Sequence, residues 1–184
     1  MNRLIEFAQS MWTKEVCDDV IRMALEVPAE EATTGEKRAN SRRCNVRWLY
    51  PEPRWKPLFD EVTLLFQQAN RANYGFDIAF IPEIQFTEYE GSNEGMYDWH
   101  GDINWVDSSP YHRKLSMSIQ LSDSADYEGG DLEFARGSQG PSASLLRHRG
   151  SSIVFPSFLA HRVTPVTSGK RYSLVAWMEG PQFK

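Results

Sequence analysis

Four side chains in this sequence have the types and spacing to do redox chemistry together: His100, Asp102, His161 and Arg171. In an extended strand alternate side chains share a face, so His100 and Asp102 would project together as an imidazole and a carboxylate. His161, much later in the chain, would supply a third ligand if the sheet folds back on itself. Two imidazoles and a carboxylate on one face of a ferrous ion leave positions open for an oxidisable co-substrate and for dioxygen. Arg171 follows the turn Thr167-Ser168-Gly169-Lys170, and the small Ser173 on its face leaves room before the guanidinium. A guanidinium holds a carboxylate by two parallel hydrogen bonds, so a dicarboxylic co-substrate could reach the metal at one end and Arg171 at the other. Both features also have plainer readings: an isolated HxD pair is a common chance spacing, and an arginine in that place can pair with a surface acid.

The elements that must position these groups are legible from periodicity. Thr13 to Leu25 reads as an amphipathic helix, with Val16, Cys17, Val20, Ile21, Ala24 and Leu25 at helical spacing behind a Thr13 cap. Ala29 to Asn40 is polar, with hardly an apolar residue, and reads as an exposed loop. Ser41 to Tyr50 alternates as a strand, and a second helix runs from Pro57 to about Asn73, with Gly75 after it. Beyond Gly75 the period becomes that of strands, over Phe76–Phe80, Ile84–Glu90, Leu115–Leu121, Asp131–Phe134, Ser151–Phe155 and Arg171–Met178. In Leu115–Leu121 one face is apolar, while Ser116, Ser118 and Gln120 share the other, facing solvent or a polar pocket. The simplest architecture that buries these faces is mainly β, of α+β class: a jelly roll with the N-terminal helices packed on one sheet. A single domain is expected over 1–184, a helical support region at 1–75 and the jelly-roll core at 76–184.

Composition excludes several classes. A charged fraction of 24% beside 41% hydrophobic residues is that of a folded globular chain, not a disordered one. The net charge of −5 speaks against sequence-independent nucleic-acid binding, although Arg38, Arg42, Arg43 and Arg47 make a local basic patch next to Trp48. No apolar run approaches a membrane span, and Met1-Asn2-Arg3 leads into Glu6 and Gln9 rather than a secretory segment, so a cytoplasmic location is expected. Cys17 and Cys44 lack any metal or redox spacing and read as reduced thiols. His112, in a Pro-containing loop, and His148, between Arg147 and Arg149, are not expected to touch a metal. Trp105 with Val106, and the segment Arg42 to Trp48, could wall the substrate entrance.

The run from about Gln85 to Trp177 resembles the Fe(II)/2-oxoglutarate-dependent dioxygenases, specifically the prolyl-4-hydroxylase-like and PKHD-type branch. The matching pieces are Tyr89-Glu90-Gly91 before Tyr97-x-x-His100-x-Asp102, Arg113-x-Leu115-Ser116 running to Leu121-Ser122, and Tyr127-Glu128-Gly129-Gly130-Asp131-Leu132. Phe155-Pro156-Ser157, then His161-Arg162-Val163-x-Pro165-Val166-Thr167-x-Gly169-x-Arg171, and Trp177 complete the set. The resemblance implies a double-stranded β-helix in which His100, Asp102 and His161 ligate Fe(II) and Arg171 binds the distal carboxylate of 2-oxoglutarate. Tyr89 and Tyr97 match a pocket-lining segment. Gln120 departs from the family, which carries an aromatic residue there, so the second contact to 2-oxoglutarate falls among Gln120, Ser118 and Tyr89. The implied activity is dioxygen-dependent hydroxylation of a prolyl residue in a peptide or protein, with succinate and carbon dioxide formed and ascorbate (vitamin C) as a candidate reductant. Two alternatives stand beside it: hydroxylation of a small molecule such as a free amino acid or a siderophore-related metabolite, and a non-catalytic metal-binding sensor module.

Overall fold

The structure, a computed structural model, describes residues 4–9, 11–32, 41–103, 105, 108–135 and 141–184. In chain order its elements begin with β1 (Glu6–Ala8), α1 (Lys14–Leu25), β2 (Glu30–Glu31), β3 (Arg42–Arg43), β4 (Asn45–Leu49) and α2 (Lys56–Ala69). There follow β5 (Ile84–Glu90), β6 (Met96–His100), β7 (Tyr111–Gln120), β8 (Tyr127–Gly129) and β9 (Leu132–Phe134). The chain closes with α3 (Ala143–Leu146), β10 (Ser152–Pro156), β11 (His161–Val163) and β12 (Val166–Pro181).

Both expected helices form, each with its punctuation in place. Thr13 caps α1, its hydroxyl accepting the Val16 N–H at 3.4 Å. The buried stripe is narrower than the sequence suggests, because Cys17 and Ala24 are buried while Val16 and Leu25 are exposed. Helix α2 carries Pro57 in its first turn, where the missing N–H costs no bond, and buries Phe59, Val62, Phe66 and Ala69. A π-helical turn over Asn70–Tyr74 extends it until Gly75 stops it at φ +65°, the left-handed conformation that glycine adopts without a Cβ clash. Among the described residues no helix is long and apolar enough to cross a membrane.

The strands make two antiparallel sheets. The larger runs in the order β1-β10-β7-β12-β5-β4-β2, with β8 paired to the start of β12, and the smaller runs β3-β6-β11-β9. One side of the larger sheet is covered by the helices, so that Ile84, Phe86, Leu115, Met117, Leu174 and Ala176 pack with Trp55, Val62 and Phe66. A second apolar cluster joins residues of both sheets, among them Val46, Tyr89, Leu132, Phe155 and Val163. This is the expected double-stranded β-helix with helices on one sheet. Strict alternation decides what each strand gives to each side. Ile84 and Phe86 of β5, Leu115, Met117 and Ile119 of β7, and Leu174, Ala176 and Met178 of β12 face the helices. The intervening Gln85, Tyr89, Ser118, Arg171, Ser173 and Trp177 face a cavity on the other side. The polar face of β7 thus looks into a pocket rather than into solvent. Phe66, fully buried against the larger sheet, is expected to cost about 3–5 kcal/mol of stability as Phe66→Ala, read by chemical denaturation.

Several segments differ from their sequence expectation. Residues 167–170, expected as a turn, lie within β12, which runs from Val166 to Pro181. Ser41–Tyr50 is two short strands, not one: β3 pairs with β6 in the smaller sheet, β4 pairs with β5 in the larger, and the chain changes sheet at Cys44. Phe76–Phe80 is not a strand and contributes only an isolated bridge between Phe80 and Glu179. The Asn70 side chain occupies both backbone groups of Phe76, accepting its N–H at 2.8 Å and donating to its carbonyl at 2.9 Å, so that residue cannot join a ladder. Within Ala29–Asn40, Glu30 and Glu31 form β2 against β4; residues 33–40 of that expected loop lie outside the described residues.

Candidate metal centre and its pocket

Strands β6 and β11 are antiparallel neighbours, and their register sets His161 directly opposite His100. Asp102 arrives differently from the sequence expectation. It does not share a strand face with His100, because β6 ends at His100 and the chain bends at Asp102. The bend is fixed by the Asp102 N–H, which donates to the Ser157 carbonyl at 2.7 Å. The carboxylate then reaches both rings: Oδ1 lies 3.6 Å from His100 Nε2 and Oδ2 lies 3.5 Å from His161 Nε2. One ligand atom from each of the three residues lies within 4.8 Å of the others, so the group could hold a metal ion.

The ring orientations suit that task. His100 Nδ1 is 2.7 Å from the Asp98 carbonyl and His161 Nδ1 is 2.9 Å from the Leu159 carbonyl. A carbonyl only accepts, so each Nδ1 carries the proton and each Nε2 turns its lone pair to the site. Burial, reinforced by the neighbouring His161, pushes His100 down to about 4, so its ring is neutral at pH 7 and free to ligate. Burial alone would raise the Asp102 carboxyl; the adjacent imidazoles and the Ser116 hydroxyl outweigh it and hold the acid below the usual range. Ser116 Oγ donates to Asp102 Oδ2 at 2.6 Å and lies 3.0 Å from Ser157 Oγ, which ties β7 and the segment after β10 to the carboxylate. The Tyr97 ring lies flat on His100, with 3.5 Å between centroids.

Arg171 faces the same cavity, which is about 120 Å³. It sits on β12 opposite Tyr89 of β5, is 3% exposed, and its Nη1 is buried with no hydrogen-bond partner among the described residues. A buried guanidinium nitrogen without an acceptor is costly unless a ligand completes it. Gly130 makes room for this side chain: at φ +65°, a Cβ there would stand 3.1 Å from Arg171 Cδ and 2.8 Å from Val166 Cγ2. The Gly129-Gly130 pair in the quoted sequence motif is therefore a matter of space as well as of turn geometry. Tyr89, Tyr97 and Ser118 line the cavity as well, and burial pushes the Tyr89 phenol up, keeping it neutral. Gln120 does not share this lining. It borders a smaller adjoining space with Arg171 and Ser118, and its Nε2 donates to Tyr127 Oη and the Ser122 carbonyl, each at 3.1 Å.

Sequence reasoning left several site residues unassigned. The role of Ser116 was hidden, because its partner Asp102 lies across the fold, and Ser157 depends on the same contact. Arg113 and Trp177 line the cavity together, with the guanidinium 3.8 Å from the ring centroid. The basic segment disperses: Arg43 pairs with Glu94, Arg47 pairs with Glu88, and Arg42 turns into the cavity with Trp48. Trp105 is exposed and meets His112 and Phe183 edge-on or tilted, while Val106 lies outside the described residues. Neither His112 nor His148 joins the ligand group. Cys17 and Cys44 are free and buried.

Comparison with known proteins gives a consistent set of relatives. The family model described as the 2OG-Fe(II) oxygenase superfamily matches residues 84–179. A PKHD-type hydroxylase of Hyphomonas neptunium is 42% identical over 106 residues, covering 58% of this chain and 46% of its own. One from a Psychrobacter species is 30% identical over 132 residues, covering 68% of this chain and 50% of its own. The chain thus spans about half the length of these curated relatives. Among solved structures, a Pseudomonas putida prolyl-4-hydroxylase superposes with a TM-score of 0.76 at 16% identity, over 98% of this chain and 94% of that one. A Trichoplax adhaerens prolyl hydroxylase in complex with a hypoxia inducible factor peptide fragment gives 0.75 at 16% identity, over 96% and 83%. At such identities the likeness is one of fold.

Proposed function

This chain belongs to the 2OG-Fe(II) oxygenase superfamily, and from that premise we propose that it is an iron- and 2-oxoglutarate-dependent hydroxylase acting on a prolyl residue of a peptide or protein. The observation that carries the reading is the pairing, across one cavity, of a His-Asp-His ligand group with a buried arginine whose Nη1 lacks a partner among the described residues. Both ends suit the groups in question. Two imidazole nitrogens and a carboxylate are the donor set of a ferrous site with open positions, and a buried guanidinium fork suits a carboxylate. His100, Asp102 and His161 would hold the metal, and Arg171 would hold the far carboxylate of 2-oxoglutarate. With dioxygen, the metal and 2-oxoglutarate would supply the oxidising chemistry that hydroxylates a C–H bond and converts 2-oxoglutarate to succinate and carbon dioxide.

The chain's own part is binding, orientation and exclusion of water. The Asp98 and Leu159 carbonyls fix both imidazole tautomers, and Ser116 aims the carboxylate. Tyr89, Val163 and Trp177 give the cavity a largely apolar wall that keeps water from the reacting bond. Ser116→Ala is expected to weaken divalent-metal binding about ten- to a hundredfold, as loss of an outer hydrogen bond to a ligand does. Calorimetric titration with Mn(II) reads this; unchanged affinity would mean that the imidazoles alone aim Asp102.

The cavity suits one residue of a large substrate, or a small molecule such as a free amino acid. The prolyl reading is supported by the solved prolyl hydroxylases that share the fold and by the peptide complex among them. To test it, succinate is measured from the anaerobically Fe(II)-loaded protein after air is admitted, with and without proline-containing peptides. Stimulation by one peptide class supports the reading. Stimulation by free amino acids alone overturns the peptide part, and absence of iron-dependent succinate throughout overturns the whole.

A further inference from the structure

Three guanidinium groups line the cavity, those of Arg42, Arg113 and Arg171, and they differ in the negative charge available to them. Arg113 Nη2 lies 3.4 Å from Glu83 Oε1. Arg171 has the distal carboxylate of 2-oxoglutarate under the reading above. Arg42 has neither kind of partner among the described residues. Its guanidinium carbon sits 4.5 Å from the Tyr97 ring centroid and its Nε donates to Cys44 Sγ at 3.1 Å. The neighbouring arginines reach acids, Arg43 with Glu94 and Arg47 with Glu88, whereas the groups that act most on Arg42 are Cys44, Tyr89 and Tyr97, and His100 also feels its charge. The Cys44 thiol offers no negative charge, since burial pushes it up.

A charge balance of the filled site singles out the same residue. The double charge of the ferrous ion cancels that of 2-oxoglutarate, Asp102 answers Arg171, and Glu83 answers Arg113. Among the described residues Arg42 remains as a half-buried cation without a carboxylate partner, a costly arrangement unless something else brings one. Its geometry also points to a carboxylate. With the guanidinium carbon over the Tyr97 ring and Nε engaged by Cys44, the two terminal nitrogens are the fork that a carboxylate would meet on this cavity-lining residue.

Resting on the hydroxylase reading, we propose that Arg42 is a specificity-determining residue that pairs through its terminal nitrogens with a carboxylate on the substrate. The carboxylate can come from an acidic side chain beside the hydroxylated residue of a peptide, or from the main-chain terminus of a small amino-acid-like substrate. The two sources differ in the molecule carrying the group, not in the contact made.

The test uses anaerobic protein loaded with Fe(II) and 2-oxoglutarate, titrated calorimetrically with two matched pairs of probes. The first pair is acetyl-Ala-Pro-Asp-amide and acetyl-Ala-Pro-Asn-amide; the second is acetyl-proline and acetyl-prolinamide. In at least one pair the acid is expected to bind about ten- to a hundredfold more tightly than its neutral partner, as a charge-assisted hydrogen bond provides. Preference in the first pair assigns a side-chain carboxylate and preference in the second a terminal one. Arg42→Gln is expected to abolish the preference with metal and 2-oxoglutarate binding unchanged, and Arg43→Gln, whose side chain bonds the Asn93 and Glu94 carbonyls, is expected to keep it. Equal binding within both pairs, no binding by any probe, or a preference that survives Arg42→Gln overturns the inference. So does loss of metal affinity in Arg42→Gln, which would assign Arg42 to holding Tyr97 against His100. Succinate formation on admitting air is followed in parallel: succinate without any carboxylate preference removes this inference alone, and absence of iron-dependent succinate removes the proposed function beneath it.

Discussion

Asp102→Ala protein is expected to bind Fe(II) so weakly that 2-oxoglutarate turnover falls below detection, a loss greater than the ten- to hundredfold typical of an outer hydrogen-bond partner. The expectation follows from the position of the carboxylate between both imidazoles, 3.6 Å from one Nε2 and 3.5 Å from the other. Without it, two imidazole rings remain, and they offer a dication no negative charge. The backbone should survive, because the bend at residue 102 is held by its own N–H to the Ser157 carbonyl rather than by the side chain. Circular dichroism and metal titration separate the two effects. His161→Ala should act in the same direction, since His161 lies opposite His100 across β6 and β11. Full turnover in either variant would remove the ligand assignment.

Arg171→Ala is expected to raise the 2-oxoglutarate requirement about a hundredfold, with metal binding little changed. Removing one partner of a buried, hydrogen-bonded charge pair costs about 2–5 kcal/mol, and the upper part of that range exceeds what a surface contact could account for. Arg171→Lys should recover only part of the loss, because an ammonium cannot form the two parallel bonds of a guanidinium. The variant is informative for stability as well. Wild-type protein free of 2-oxoglutarate buries a cation whose Nη1 has no partner among the described residues, so the alanine variant should unfold at no lower denaturant concentration in the absence of co-substrate. A KM for 2-oxoglutarate that stays put would place the distal carboxylate elsewhere.

Much of this arrangement is written in local periodicity. The alternation Leu115-Ser116-Met117-Ser118-Ile119-Gln120 already separates a helix-facing side from a pocket-facing side, and β5 and β12 carry the same pattern. The Thr13 cap and the Gly75 stop are equally local, and both are found where the sequence places them. What escapes a linear reading depends on contacts between distant residues. Phe76 looks like strand until the Asn70 side chain takes its backbone bonds. Ser116 looks like one more small polar strand residue until Asp102 folds against it. The single strand expected over Ser41–Tyr50 divides because one half has β6 as its neighbour and the other has β5, a choice that no property of the segment alone records.

The length of β12, which runs unbroken from Val166 to Pro181, bears on how the protein can be altered. Along its central stretch residue parity sorts the strand into two sets: Arg171, Ser173, Val175 and Trp177 line the cavity, and Leu174, Ala176 and Met178 belong to the helix-covered core. Libraries confined to odd positions should therefore retune ligand choice while leaving the scaffold's cohesion largely alone, and even positions offer the reverse experiment. The converse is a vulnerability to insertion. One extra residue near Lys170 would exchange the two sets, turning leucine and methionine toward the cavity and a guanidinium toward Phe66, so a single in-frame codon there should do more harm than any substitution along the strand.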